Sequence, residues 1–160
     1  MLFRSILAGP LQELSEYVTK FAPALYNKAK ALEDTYNENV QALSNLHGTG
    51  DLVAAIFMMA FLPALFEEMF FRGALQNILT KWWGKPYTAI IVSSLIFSLI
   101  HFSIWLFLSR FILGMVLGLM FYTTKNIWIN TIAHFLNNLI AVIQMYVMSA
   151  RDRKSTRLNS

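Results

Sequence analysis

Two adjacent carboxylates, Glu67 and Glu68, lie inside an apolar run that begins near Leu52. A charge at mid-membrane costs at least about 2.5–3.5 kcal/mol, so two neighbouring ones require partners or water. Glu68 stands four residues before Arg72, which puts the pair on one helix face as a structural ion pair. Glu67 is turned away by one residue and has no local cation, so it is the better candidate for a reactive carboxylate. His101 lies in a second apolar run, and His134 and Asn138 share a later one. Four-residue spacing puts His134 and Asn138 on one helix face. A carboxylate and an imidazole can jointly orient and deprotonate a water. An imidazole and an amide on one face can donate hydrogen bonds to a developing oxyanion. Together these groups suffice for amide hydrolysis without a protein nucleophile. The same residues also admit a metal reading, with Glu67, His101 and His134 as a zinc-like His/His/Glu ligand set, although the His-Glu-x-x-His pattern is absent.

Each of these residues also has a plainer reading. A lone intramembrane histidine is more often a hydrogen-bonded core residue than a catalyst. Two histidines, an extra carboxylate and an amide on three runs are harder to explain by packing alone, and they point to a polar pocket in a helical bundle. Other chemistries are excluded. The chain has no cysteine, so there is no thiol nucleophile, thiolate metal site or disulfide framework. No Gly-x-Ser-x-Gly occurs. Gly48-Thr49-Gly50-Asp51 resembles the Gly-x-Gly-Asp of aspartyl intramembrane proteases, but residues 52–148 hold no second aspartate.

The elements that must position these groups are helices in a membrane. Of 160 residues, 56% are hydrophobic and 14% charged, and the mean hydropathy is +0.49. A soluble domain is about 45–50% apolar and about 25% charged. About 20 mostly apolar residues cross a bilayer. Four such passes fit, at Leu52–Leu79, Tyr87–Trp105, Leu106–Tyr122 and Ile127–Met148, with Trp82, Trp83, Trp105, Tyr122 and Trp128 at headgroup level near their ends. Pro63, four before Glu67, removes a backbone donor and leaves the Met59 carbonyl unpaired, which predicts a kink beside the carboxylate. Gly114 and Gly118 form a small-xxx-small pair suited to close helix packing. The expected fold is therefore an all-α polytopic membrane bundle of about four transmembrane helices, preceded by an amphipathic helical segment.

The segments outside this core differ in character. Residues 1–51 form the amphipathic segment, with Leu25, Ala29, Leu32, Tyr36, Val40 and Leu43 at helical spacing and a break near Pro23. It is acidic, with Lys20, Lys28 and Lys30 against Glu13, Glu16, Glu33, Asp34, Glu38 and Asp51, and it reads as a loop of a truncated longer protein. Residues 152–160 match one frame of a sequencing-library adapter and read as a non-native tail. The net charge of +4 forms no basic face, so nucleic acid is not an expected partner.

The three motifs together resemble a known family. Glu67-Glu68-Met69-Phe70-Phe71-Arg72 is similar to its Glu-Glu-x-x-x-Arg, Phe97 to His101 to its Phe-x-x-x-His, and His134 to Asn138 to its His-x-x-x-Asn. The chain resembles the CAAX prenyl protease type II family, also called CPBP or Abi, over residues 52–148. The resemblance implies an intramembrane glutamate-type endopeptidase, a multi-pass integral protein of the cell membrane, with no cofactor and a peptide or protein substrate at or in the bilayer. It implies that Glu67 and His101 activate the water, that His134 and Asn138 form the oxyanion hole, and that Glu68 and Arg72 give structural support. The competing expectations are a non-catalytic membrane scaffold or bacteriocin-immunity-type protein, and a proton relay using the buried Glu and His.

Overall fold

Residues 8–43 and 48–158 are described in a computed structural model. They form six helices, and no strand occurs among the described residues. The all-α fold is as the sequence predicts. Two helices, α1 (Ala8–Thr19) and α2 (Pro23–Leu43), make up the N-terminal segment. The break falls where Pro23 was expected to place it, because proline is suited to a first helical turn and not to an interior one. The flexible break expected at His47–Gly50 lies partly outside the described residues, and the next helix starts at Thr49. The packed face of α2 differs from expectation. Leu32 is exposed, whereas Ala29 and Glu33 are buried.

Helix α3 (Thr49–Trp83) runs through the first expected pass. It contains two wide π stretches, Ile56–Phe61 and Met69–Gln76. The first ends two residues before Pro63, where the Leu62 N–H donates to the Phe57 carbonyl. Pro63 thus acts through a widened turn ahead of it, one of the usual causes of a local helix distortion. The second π stretch starts directly after Glu68 and carries Phe71, Arg72 and Gln76 into the interior. Gly84 ends α3 with a φ of 62°, in the left-handed region that favours glycine.

Helix α4 (Pro86–Leu99) is shorter than the expected pass Tyr87–Trp105. Its 14 residues span about 21 Å at 1.5 Å per residue, short of an about 30 Å hydrocarbon core. Among the described residues there are therefore three helices long and apolar enough to cross a membrane, α3, α5 (Phe107–Thr124) and α6 (Ile127–Leu158, apolar to Arg151), with α4 as a shorter apolar one. The chain leaves the α4 helix because Phe102 adopts a left-handed φ of 50°. The resulting turn is held by side chains, with Ser98 Oγ donating to the Phe107 carbonyl at 2.6 Å and the Leu106 N–H donating to Ser103 Oγ at 3.3 Å.

Polar contacts between helices fix the register. Arg72 donates to the Gly114 carbonyl and Gln76 to the Gly118 carbonyl, both at 3.0 Å. Both pairs advance by four residues, so α3 and α5 run parallel. The same glycines also admit a close approach of α4. A Cβ on Gly114 would lie 3.0 Å from the Ser94 Cβ, and one on Gly118 would lie 2.8 Å from the Ile90 Cγ2. The expected small-residue packing is present, and its carbonyls also serve as acceptors. Helix α6 descends antiparallel to α3, with His134 beside Glu68 and Ile127 against Gly73.

Polarity is arranged inside out. Glu68, Arg72, Gln76, Ser93, Ser94, Ser98, Asn130 and His134 are buried, while Phe57, Met58, Phe66, Met69, Ile91, Val116, Ile132 and Ile140 are exposed. Water offers no reason for this arrangement and hydrocarbon does.

Candidate active site

Glu68 is the centre of the buried network, with an exposure of 0%. Its Oε1 accepts from Arg72 at 2.8 Å and from His134 Nδ1 at 2.9 Å, and its Oε2 accepts from Asn130 Nδ2 at 3.2 Å. A buried carboxylate is tolerable when paired and fully hydrogen-bonded, and these three donors supply that. Asn130 also donates to the Leu117 carbonyl at 2.6 Å, which links α6 to α5. The guanidinium of Arg72 lies 5.1 Å from the Phe97 ring centroid.

Glu67 points elsewhere and is partly open, with 24% of its side chain exposed. Its two oxygens face two imidazoles. Oε1 is 3.9 Å from His101 Nε2, and Oε2 is 3.7 Å from His134 Nε2. These gaps are too long for direct hydrogen bonds. Gaps of this length are ones that a single bridging water, rather than direct contact, would span.

The opposite nitrogen of each ring is already committed. His101 Nδ1 lies 2.7 Å from the Phe97 carbonyl. That oxygen can only accept, so Nδ1 carries the hydrogen and Nε2 of the neutral ring offers a lone pair toward Glu67. His134 Nδ1 is held in the same way by Glu68. An Nε2–H on His134 as well therefore requires the ring to carry both hydrogens. The Phe97 ring packs edge-on against both imidazoles, at 5.0 Å from His101 and 5.8 Å from His134.

The structure thus brings Glu67, His101 and His134 together, and it sets Glu68 and Arg72 behind them as a buried pair. Asn138 lies one turn beyond His134 on α6 and is half-buried. Its Oδ1 accepts from Asn137 Nδ2 at 3.3 Å, which leaves its own Nδ2 as the donor end. Asn138 does not join the Glu67–His101–His134 cluster by a hydrogen bond among the described residues. Glu67, His101 and His134 are also the residues considered as metal ligands. Among the described residues, no group of three His, Asp or Glu side chains is arranged to hold a metal ion.

Sequence reasoning missed three supports. Asn130 is four residues before His134 and eight before Asn138, a one-face polar stripe that was readable. Gln76 is four after Arg72 and repeats its contact with α5. Phe97 was read only as a motif letter, yet it wedges both histidines and holds the hydrogen of one.

An apolar exterior around a carboxylate–imidazole cluster defines a membrane protein with a polar site built inside its helices. Comparison with known proteins agrees. The model of the type II CAAX prenyl endopeptidase Rce1-like family matches residues 49–140. That is more than half of the chain, and the chain belongs to this family, which is one of membrane proteases. It is also similar to the Bacillus subtilis (strain 168) protein described as "Uncharacterized protein YpbD", 34% identical over 103 residues, covering 62% of this chain and 50% of that protein. The chain therefore spans about half the length of this curated relative. No solved structure matches it significantly.

Proposed function

We propose that this chain carries the catalytic core of a multi-pass intramembrane endopeptidase that hydrolyses a peptide bond with an activated water. The observation that carries this reading is the placement of both Glu67 oxygens within 4 Å of an imidazole Nε2. A water held between Glu67 and His101 gives its proton to the carboxylate as its oxygen attacks the scissile carbonyl. His134, oriented by Glu68 and carrying both ring hydrogens in this step, donates from Nε2 to the oxyanion. Asn138 adds a second donor from the next turn of the same helix. The proton on Glu67 then passes to the leaving amine as the tetrahedral intermediate collapses, which restores the carboxylate. Glu68 and Arg72 do not react. They hold α3 against α5 and fix the His134 ring. The substrate is a peptide or protein segment presented at or in the bilayer of the cell membrane.

The test is peptide cleavage in nanodiscs by the wild type and by Glu67→Gln, with and without prolonged chelation. The amide of Gln is nearly isosteric but cannot accept the proton, so cleavage is expected to vanish while the protein stays folded. Full activity in Glu67→Gln sinks the proposal. Activity lost to chelator and restored by stoichiometric zinc replaces the water-activating role of Glu67, His101 and His134 with metal ligation.

A further inference from the structure

The turn that carries His101 is gripped from outside the bundle, by a segment that precedes the family match. Tyr26, Ala29 and Glu33 are spaced i, i+3, i+7 and so share one face of α2. That face lies on the turn between α4 and α5. The Tyr26 and Trp105 ring centroids are 6.3 Å apart, Ala29 is fully buried, and Glu33 accepts a hydrogen bond from Ser103 Oγ at 2.8 Å. Glu33 is 1% exposed and Ser103 3% exposed. Helix α1 flanks the same region, with Leu14, Val18 and Thr19 along a groove shared with Ile104, Phe107 and Leu108.

Among the described residues the buried Glu33 carboxylate is paired with the Ser103 hydroxyl, a poor exchange for stability alone. The Ser103 hydroxyl is also where the turn is pinned. Its proton goes to Glu33 while its oxygen accepts the Leu106 N–H in the turn just ahead of α5. One residue earlier is Phe102 in its left-handed conformation, a geometry that a non-glycine residue holds only when its surroundings impose it. One residue before that is His101. A shift of Ser103 therefore reaches His101 through a single intervening residue, Phe102. The 3.9 Å gap to Glu67 leaves little tolerance for a bridging water.

We infer that Glu33 is a positioning residue for His101, acting through Ser103, so that the N-terminal hairpin sets the geometry of the water-activating pair. This rests on the hydrolytic reading above and assigns part of its control to a segment outside the family match. Glu33 does not touch the reacting atoms.

The experiment uses the full chain and four variants. Glu33→Leu and Ser103→Ala remove the bond. Glu33→Gln and Ser103→Thr keep an acceptor and a hydroxyl. The first two are expected to lower kcat by about ten-fold, the scale of one charge-assisted hydrogen bond, with KM within two-fold. The conservative pair should stay near wild type, and Glu33→Leu combined with Ser103→Ala should be no worse than either alone. If Glu33→Leu fails to accumulate, Ser103→Ala, which removes a single hydroxyl, carries the test. The second readout is the side-chain 15N spectrum of histidine-labelled protein, with the His101 signals assigned by substitution. They should move in Ser103→Ala and Glu33→Leu, and hold in Glu33→Gln and Ser103→Thr. Unchanged His101 signals overturn the inference even if the protein is an active peptidase. A rise in KM at constant kcat overturns it too, since the hairpin would then be binding substrate. If the wild type cleaves no peptide, the hydrolytic reading fails on its own, and the spectrum still decides whether Glu33 positions His101.

Discussion

Replacing Arg72 by Met tests whether the buried pair holds the bundle together. Met keeps an apolar stem beside Phe97, whose ring centroid lies 5.1 Å from the guanidinium carbon, and it removes the charge and both hydrogen bonds. One of those bonds reaches Glu68 at 2.8 Å and the other reaches the Gly114 carbonyl at 3.0 Å. Losing one partner of a buried pair costs about 3–5 kcal/mol, because the remaining charge is stranded. Glu68 retains Asn130 and His134 as donors, so the expected loss lies at the lower end, about 3 kcal/mol. Glu68→Gln is expected to cost a similar amount by stranding the guanidinium. The double variant Glu68→Gln/Arg72→Met strands no charge, and its loss should fall short of the sum of the singles by about 1–3 kcal/mol. Reversible unfolding in mixed detergent micelles, followed by tryptophan fluorescence, measures all three. An Arg72→Met variant within about 1 kcal/mol of wild type, or a double variant as bad as the summed singles, would refute the stranded-charge argument.

Gly118→Ala should destabilise by about 1–3 kcal/mol through overpacking, since its Cβ would meet Ile90 Cγ2 at 2.8 Å. Gly50→Ala has nothing within 4 Å and serves as the neutral control in the same unfolding assay, and equal effects at both sites would discredit the close-approach account. Asn138→Ala should lower turnover by about 10²–10³ with little change in KM, as for the loss of one oxyanion donor. A purely KM-based effect in steady-state cleavage would instead make Asn138 a substrate contact.

The parts legible in the sequence are those fixed by local spacing. Glu68 and Arg72 are one helical turn apart, and the structure pairs them at 2.8 Å. Glu67 is one position off that face, and it points away from Arg72 toward the two histidines. Apolar runs delimit helices α3 and α5 and the start of α6 to within a few residues, because hydropathy over about 20 residues averages out local detail, whereas α6 itself continues to Leu158, past the expected end at Met148. The end of α4 was not legible for the same reason. Ile100, Phe102, Ile104 and Trp105 are as apolar as the helix before them, so composition gives no stop signal. The stop comes from the backbone of Phe102 and from the hydroxyls of Ser98 and Ser103, whose partners are distant in sequence or set by the turn itself.

Glu33 shows the limit most clearly. An amphipathic reading of α2 assigns its apolar residues to the packed face and its charges to solvent, and that logic buries Leu32 and exposes Glu33. The structure does the opposite, and nothing within α2 explains why. The reason is Ser103, 70 residues away in sequence, whose hydroxyl donates to the Glu33 carboxylate. A polar residue at an interior position is unfavourable until its partner is known, so sequence periodicity places it outside by default. The same holds for Asn130. Its burial is paid for by Glu68 and the Leu117 carbonyl, on two other helices. Local spacing thus locates the candidate reactive groups one helix at a time, whereas the groups that hold them are found only when the helices are assembled. Those holding groups, Glu33, Ser103, Phe97 and Asn130, are where substitutions should alter activity without touching a reacting atom.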